Sequence, residues 1–143
     1  MKIRKINVSS LNQIVEISNQ QFGEESWTSE QFKDALQSKN YDCYAIMQDN
    51  ILVSYCLVLD SVDDLNILSI ATHNNYKNKG YATMLIEYVI NQGNNENKTI
   101  SLEVKQKNLI ALNLYQKLNF KIVANRKNYY KDGDTACVMF YQK

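Results

Sequence analysis

Residues 65–90 read LNILSIATHNNYKNKGYATMLIEYVI and contain a strand, a polar loop and a helix in succession. Leu65 to Thr72 is an apolar run of strand length, which predicts a buried strand. The helix is predicted to begin at about Gly80 and to end near Gly93. The apolar residues predicted to face inward from this helix are Ala82, Leu85, Ile86 and Val89. A unit of this kind indicates an α/β protein.

The loop of this unit, residues 77–82, has the sequence KNKGYA and is a candidate anion site. The start of a helix offers unpaired backbone N–H groups and the positive end of the helix dipole. Gly80 and the small Ala82 let a phosphate approach the backbone closely, and Lys77 and Lys79 add positive charge. A solvated, lysine-rich turn explains the same residues, so the motif alone leaves both interpretations open.

Two helices are predicted before residue 40. Ser10 with Gln13 is the pattern of a capping box, and Thr28 with Gln31 repeats it. The residues predicted to form the buried stripe of the first helix are Leu11, Ile14, Val15 and Phe22.

The other elements complete a single α/β domain, predicted to span residues 1–143. Further strands are predicted at residues 2–8, 43–47, 51–59, 99–104, 120–124 and 136–141, and a helix at residues 108–118. The order is βααβββαβαββ. The two strands at 43–47 and 51–59 are predicted to form a hairpin, whereas strands that alternate with helices imply parallel pairing later in the chain. A turn at Asp132-Gly133 is expected to join the last two strands.

Glu103 lies on the predicted strand at residues 99–104. Strand alternation places Ile100, Leu102 and Val104 on one face and Glu103 on the opposite face. A carboxylate that faces a cleft can take a proton from an attacking amine. A solvent-facing strand residue has the same pattern, so the role of Glu103 stays open at this point.

Tyr115 lies on the predicted helix at residues 108–118, on an apolar stripe with Ala111 and Leu118. Packing explains this position, although a phenol can also protonate a departing thiolate. Asn108 at the helix start is explained by N-capping. No nucleophile elbow or Cys–His spacing is visible, which disfavours covalent catalysis.

The composition excludes several other classes of protein. The net charge of +1 favours neither a direct nucleic-acid partner nor a membrane surface. The residues after Met1 form no continuous apolar segment, so no secretory signal is expected. Cys43, Cys56 and Cys137 are widely spaced and odd in number, and His73 is the only histidine. We therefore expect reduced thiols, no metal site and a cytoplasmic location.

With these motifs in place, the chain resembles the GNAT acetyltransferase superfamily from Lys2 through its final strand. Residues 77–82 match the family signature except that Lys77 stands where Arg or Gln is usual. Residues 101–120 match a later signature, with Asn119 in place of the usual Gly. The resemblance implies a mixed, centrally splayed sheet flanked by helices, and acetyl-CoA as co-substrate.

Within this superfamily the chain is most similar to the RimI-type N-terminal alanine acetyltransferases, which modify a small-subunit ribosomal protein. Residues 27–32, 102–120 and 126–130 carry the likeness. The resemblance implies that Glu103 is the general base and Tyr115 the general acid. The acetyl-CoA-binding residues that it implies are Ile70, Ala71, Thr72, Lys77, Asn78, Lys79, Gly80, Tyr81, Ala82, Thr83 and Asn108.

The acceptor is less defined than the acetyl transfer. RimI-like proteins often carry an acidic residue where Asn66 stands in this chain. A missing carboxylate there can change which amine is accepted. A protein N-terminus is therefore the first hypothesis for the acceptor, and a polyamine or an aminoglycoside is the alternative. A non-catalytic domain that binds coenzyme A or a partner is a third reading.

Overall fold

The computed structural model describes residues 2–143 and contains a seven-stranded sheet with two helices on each face. Met1, the first residue of the segment expected to lack a secretory signal, lies outside the described residues. The strands are β1 Ile3–Ile6, β2 Tyr41–Gln48, β3 Ile51–Asp60, β4 Asp64–Thr72, β5 Thr99–Lys105, β6 Phe120–Arg126 and β7 Ala136–Tyr141. The helices are α1 Leu11–Phe22, α2 Ser29–Gln37, α3 Tyr81–Glu96 and α4 Leu109–Lys117. The predicted order of strands and helices is confirmed.

The strands follow the order β1-β2-β3-β4-β5-β7-β6 across the sheet. Only β4 and β5, among the pairs of residues 2–143, run parallel. Their pairing extends from Asp64–Thr99 to Ile67–Leu102 and then ends. Beyond that point β4 continues along β3 and β5 continues along β7, so the two central strands separate. The predicted central splay is confirmed, and it opens a slot in the sheet.

A β-bulge in β4 lies at the start of this splay. Leu57 pairs with Ser69, but its neighbour Val58 pairs with Ile67, so Leu68 is an additional residue. Bulges re-aim the residues that follow them, and they are frequent beside functional sites. Ile67 and Ile70 consequently pack on the same side of the sheet although they are three residues apart.

Each face of the sheet has its own core. The buried residues of α3 and α4 pack on one face and include Leu85, Ile86, Val89, Leu112 and Tyr115. The buried residues of α1 and α2 pack on the other face and include Ile14, Ile17, Phe32 and Ala35. Full burial of an aliphatic or aromatic side chain contributes about 1.5–3 kcal/mol. The two cores therefore stabilise the sheet from both of its faces.

The predicted start of α1 is wrong in its detail. Ser10 makes no side-chain cap, because it ends a 3-10 turn, Val8–Ser10, and its φ of −98° and ψ of 8° differ from the extended backbone of a capping residue. The Gln13 side-chain oxygen accepts a hydrogen bond from the Leu52 backbone N–H, at 2.8 Å, in place of the Ser10 N–H. Phe22 was predicted to be buried but is 37% exposed, because α1 turns its Ile14 and Ile17 side into the core. By contrast, the second capping box is confirmed, with both of its hydrogen bonds present between Thr28 and Gln31.

The predicted end of α3 near Gly93 is also wrong. The helix continues to Glu96, and Asn97, with a left-handed φ of 57°, provides the C-cap. Gly93 is buried against β5, where a Cβ would lie only 2.7 Å from Cδ1 of Ile100. The glycine therefore permits close packing of the helix on the sheet and does not end the helix.

Candidate active site

A cleft of ≈ 810 Å³ occupies the slot between the separated halves of β4 and β5. It is lined by both strands, the loop before α3, the start of α4 and the connections α1–α2 and β6–β7. Twelve of the thirteen predicted site residues line it: Ile70, Ala71, Thr72, Lys77, Asn78, Gly80, Tyr81, Ala82, Thr83, Glu103, Asn108 and Tyr115. Lys79 is exposed and is not part of the lining. The fold thus brings the predicted residues to one place.

The loop before α3 opens directly onto this cleft. Gly80 is the N-cap residue of α3 and has a left-handed backbone, with φ 82° and ψ 11°. No side chain caps the helix, so the first-turn amides of Tyr81, Ala82 and Thr83 lack that partner. A Cβ built on Gly80 meets nothing within 4 Å, and Gly80 lines the cleft together with these three residues. Uncapped amides at the positive end of a 16-residue helix suit a pyrophosphate.

We expect Gly80→Val to weaken acetyl-CoA binding at least tenfold. The side chain fills the space before the helix, and the left-handed backbone disfavours a residue with Cβ by about 1–2 kcal/mol. Titration calorimetry with acetyl-CoA measures the affinity. Gly133→Val is the matched control, because Gly133 also has a left-handed φ, 85°, but does not line the cleft. Equal affinity in a folded Gly80→Val variant would contradict the assignment of this loop.

The β4 wall of the cleft presents backbone polar groups. From Leu68 to Thr72 the edge of β4 that faces β5 has no strand partner within residues 2–143. Ser54 on β3 donates a hydrogen bond to the Ala71 carbonyl, at 3.1 Å, and bonds the Thr72 hydroxyl, at 2.9 Å, from the other side. An open strand edge pairs with extended amide-containing ligands. The wall therefore suits the amide groups of a pantetheine arm.

Glu103 projects from β5 into the cleft, on the face opposite to the buried Leu102 and Val104. Its side chain is 29% exposed, so the alternative of an ordinary solvent-facing residue does not describe it. Its Oε2 atom is buried and has no hydrogen-bond partner within residues 2–143. The Arg126 Nε lies 3.8 Å from that oxygen, beyond hydrogen-bond length. A buried carboxylate oxygen without a donor is suited to receive a proton or an N–H group.

Tyr115 reaches the cleft from α4, on the other face of the sheet. It is 7% exposed, and its ring packs edge-on against Phe120 with centroids 5.9 Å apart. Tyr115 therefore packs in the core and also lines the cleft. Burial raises the pKa of the Tyr115 phenol above its usual range, and nearby Cys56 and Tyr130 add to the effect. The phenol is consequently protonated, and able to donate, across neutral and mildly alkaline pH.

Asn108 is the N-cap residue of α4. Its Oδ1 accepts a hydrogen bond from the Ala111 N–H at 3.2 Å, which confirms the N-cap interpretation. It also lines the cleft.

Sequence reasoning missed one wall of the cleft, which we call the α1-side wall and which consists of Phe22, Glu25, Trp27, Tyr129 and Tyr130. These residues come from the α1–α2 and β6–β7 connections, which are distant along the chain. Tyr129 and Tyr130 pack edge to face, with centroids 5.1 Å apart. Burial, followed by the charge of Glu103, raises the pKa of Tyr130 to about 12. The signals available for this wall were Trp27 and the aromatic pair in the sequence NYY, both in stretches that carry the resemblance.

Asn66 faces the cleft one step before the splay. Its Nδ2 donates to the Ser101 hydroxyl, at 2.8 Å, and that hydroxyl donates to Asp64 Oδ2, also at 2.8 Å. A carboxylate accepts only, so Ser101 must give its proton to Asp64 and accept from the amide of Asn66. This orients the Asn66 carbonyl oxygen away from Ser101. Position 66 therefore presents a neutral hydrogen-bond acceptor to the cleft. The nearest carboxylate on β4 is that of Asp64, two residues earlier, which already accepts a hydrogen bond from Ser101.

No helix within residues 2–143 is long and apolar enough to cross a membrane. The same part of the chain has no cluster of three His, Cys, Asp or Glu side chains able to hold a metal ion. The three cysteines are buried and unpaired there.

Comparison with known proteins identifies the family. Residues 11–120 match the model of the acetyltransferase (GNAT) family, and the chain belongs to this family. An N-alpha-acetyltransferase from Saccharolobus solfataricus is 30% identical over 96% of this chain and 90% of its own length. A putative ribosomal protein bS18-alanine N-acetyltransferase from Bacillus subtilis is 28% identical, with 96% and 93% covered. The chain is therefore an N-acetyltransferase, and the reading as a non-catalytic domain is set aside.

Solved structures share the fold. The ribosomal-protein-S18-alanine N-acetyltransferase from Escherichia coli superposes with a TM-score of 0.88 at 24% identity, covering 98% of this chain and 92% of its own. NAA60 from Arabidopsis thaliana in complex with acetyl-CoA gives 0.84 at 18% identity, covering 98% and 97%. An aminoglycoside 6'-N-acetyltransferase complexed with coenzyme A gives 0.82 at 15%, covering 98% and 96%. These structures confirm the predicted GNAT-like fold. Acetyl-CoA is the co-substrate of this enzyme as a member of the GNAT acetyltransferase family.

Proposed function

We propose that this enzyme acetylates the N-terminal α-amine of a protein, and that the acceptor is an alanine-first ribosomal protein. The observation that carries the proposal is the cleft through the splayed sheet. Glu103 enters it from one face, Tyr115 enters it from the other, and an open strand edge lies between them. Two relatives that match almost the whole chain are named N-alpha-acetyltransferase and putative ribosomal protein bS18-alanine N-acetyltransferase, which supports this choice of acceptor.

The residues divide the chemistry between the two sides of the cleft. The backbone of Ile70 to Thr72 is proposed to hold the pantetheine arm, and Lys77 to Thr83 with Asn108 the rest of acetyl-CoA. The nitrogen of the acceptor amine attacks the acetyl carbon, and Glu103 takes the proton of that amine, directly or through water. Backbone N–H groups of β4 polarise the carbonyl oxygen. Tyr115 then delivers a proton to the departing sulfur.

An α-amine suits this arrangement better than a lysine side chain. The pKa of an α-amine is about 7.7–8.0, whereas that of a lysine is about 10.4. A single carboxylate is a modest base, so it is more effective with the amine that is more easily deprotonated. The aromatic Trp27, Tyr129 and Tyr130 in the α1-side wall provide an apolar surface for the first side chain of a peptide.

A small cationic amine is the second candidate acceptor. Glu25 and Glu103 each have a buried carboxylate oxygen without a hydrogen-bond partner within residues 2–143, and both line the cleft. Two such oxygens favour a ligand that carries several N–H donors. Asn66 weighs against this candidate, because it places a neutral amide where a carboxylate would add to the attraction.

We also propose a cytoplasmic location. A ribosomal-protein acceptor would be present in the cytoplasm, and the three buried, unpaired thiols are consistent with a reducing compartment.

We expect a short peptide with a free N-terminal alanine to be acetylated at its α-amine far more efficiently than at its lysines. The experiment offers this peptide, its N-terminally blocked form and spermidine to the enzyme with acetyl-CoA. Release of free thiol measures turnover, and mass-spectrometric mapping of the peptide places the acetyl group. The blocked peptide is the control for lysine acetylation. Acetylation confined to lysines or to spermidine would overturn the proposed acceptor.

A further inference from the structure

Lys105 is the last residue of β5 and lies on the same face of the sheet as Glu103. Leu102 and Val104 are buried in the α3/α4 core, so Glu103 and Lys105 project from the opposite face. Alternate residues of a strand are about 6.4–6.8 Å apart along its axis. The four-carbon stem of a lysine is long enough to bring its ammonium to a carboxylate at that distance. Lys105 is therefore a potential ion-pair partner of Glu103.

The structure shows the Lys105 ammonium bound elsewhere. Its Nζ lies 2.7 Å from Glu25 Oε2 and 2.7 Å from Asp132 Oδ2. It also lies 5.3 Å from the ring centroid of Tyr130. Glu25 belongs to the α1–α2 connection and Asp132 to the β6–β7 connection. These two hydrogen bonds raise the pKa of Lys105, so its charge persists throughout the neutral range.

Glu103 forms a long ion pair with Arg126, but its Oε2 atom has no hydrogen-bond partner within residues 2–143. Three groups face it: Lys105 on its own strand, Arg126 on β6 and Tyr130 in the β6–β7 connection. The Arg126 Nε lies 3.8 Å from the Glu103 Oε2, which is too far for a hydrogen bond. The Arg126 guanidinium lies over the Tyr129 ring, 5.6 Å from its centroid. Tyr130 is uncharged at neutral pH, as tyrosines are, and burial with the charge of Glu103 raises its pKa further, to about 12. Lys105 is thus the charged neighbour whose placement is decided by other carboxylates.

We propose that Glu25 and Asp132 are positioning residues that hold the Lys105 ammonium away from Glu103 and so keep that carboxylate free for the acceptor amine. The proposal rests on the function proposed above, since it requires Glu103 to be the base. An ion pair with Lys105 would favour the charged form of Glu103 and weaken it as a base. It would also occupy the oxygen that must meet the amine.

The test first removes the carboxylates of Glu25 and Asp132 and then the ammonium of Lys105. We expect Glu25→Gln with Asp132→Asn to lower kcat for the N-terminal alanine peptide about tenfold, a fraction of the full contribution of a general base. The KM for acetyl-CoA should not change. Adding Lys105→Met to this double variant should recover most of the lost kcat, because no ammonium remains to pair with Glu103.

A purely structural role predicts a different pattern. If Lys105 serves only to tie the two connections together, the triple variant stays as slow as the double variant, and the KM for the peptide rises in both. That result would overturn the proposal, as would a double variant with full kcat. Single Asp132→Asn, at a half-exposed position, serves if the double variant does not fold. Its smaller loss should likewise be reversed by Lys105→Met.

Two further variants separate this inference from the proposed function. Asp42→Asn removes a carboxylate from an ion pair with Lys5 remote from the cleft, at 3.3 Å, and should leave kcat unchanged. Glu103→Gln must itself be slow. A fully active Glu103→Gln would overturn the base, and this inference with it. A slow Glu103→Gln beside a fully active double variant would overturn this inference alone.

Discussion

Replacing Tyr115 by phenylalanine should lower kcat by about 10²–10⁴-fold, the contribution typical of a general acid. The ring remains, so its contact with Phe120 and the α3/α4 core is preserved. The free energy of unfolding should change by about 1 kcal/mol or less, since only a hydroxyl is removed. Steady-state kinetics with acetyl-CoA and the alanine peptide measure the first effect, and thermal unfolding measures the second.

The pH dependence of this loss follows from the environment of Tyr115. Burial raises the pKa of its phenol, so the group is protonated at every pH below its ordinary value of about 10. The ratio of wild-type to variant kcat should therefore be constant from pH 6 to about pH 9. A loss that grew with rising pH would instead assign Tyr115 a role as a base.

Tyr141→Phe is the matched control for this substitution. Tyr141 packs on the same Phe120 ring, with centroids 5.8 Å apart, but it does not line the cleft. Its variant should turn over at the wild-type rate. Full turnover by Tyr115→Phe would show that Tyr115 is a packing residue alone.

Glu103→Gln should produce the second large effect, with kcat/KM reduced by about 10²–10⁴-fold at low pH. Glutamine keeps the size of the side chain and its place beside Leu102 and Val104, but it cannot take a proton. The deficit should shrink above pH 8, because an α-amine with a pKa of about 7.7–8.0 then arrives already deprotonated. A pH–rate profile of both enzymes measures the difference.

Glu30→Gln is the control, because Glu30 is exposed in the first turn of α2 and does not line the cleft. It should reproduce the wild-type profile. A deficit for Glu103→Gln of the same size at every pH would mean that Glu103 orients the amine and does not accept its proton.

The order of strands and helices could be predicted because its signals are local. The apolar run at residues 65–72 and the capping box at Thr28 and Gln31 depend on neighbours within a few residues. Strand alternation within residues 99–105 likewise placed Glu103 opposite the core. The left-handed Asn119, with φ 71°, follows from the tolerance of asparagine for that conformation. The resemblance to the GNAT superfamily added the candidate site residues, and the fold brings twelve of them to the cleft.

Only the tertiary structure decided the features that depend on distant partners. The Gln13 side chain forms its hydrogen bond with β3, and Gly93 is required by the side chain of Ile100 across the helix–sheet contact. Strand β7 inserts between β5 and β6, which brings the β6–β7 connection over the cleft. Lys105 then meets Glu25 and Asp132 from two connections that are distant along the chain. Periodicity and capping describe neighbours along the chain. The contacts named here form only when the whole sheet assembles, so they have no local signal in the sequence.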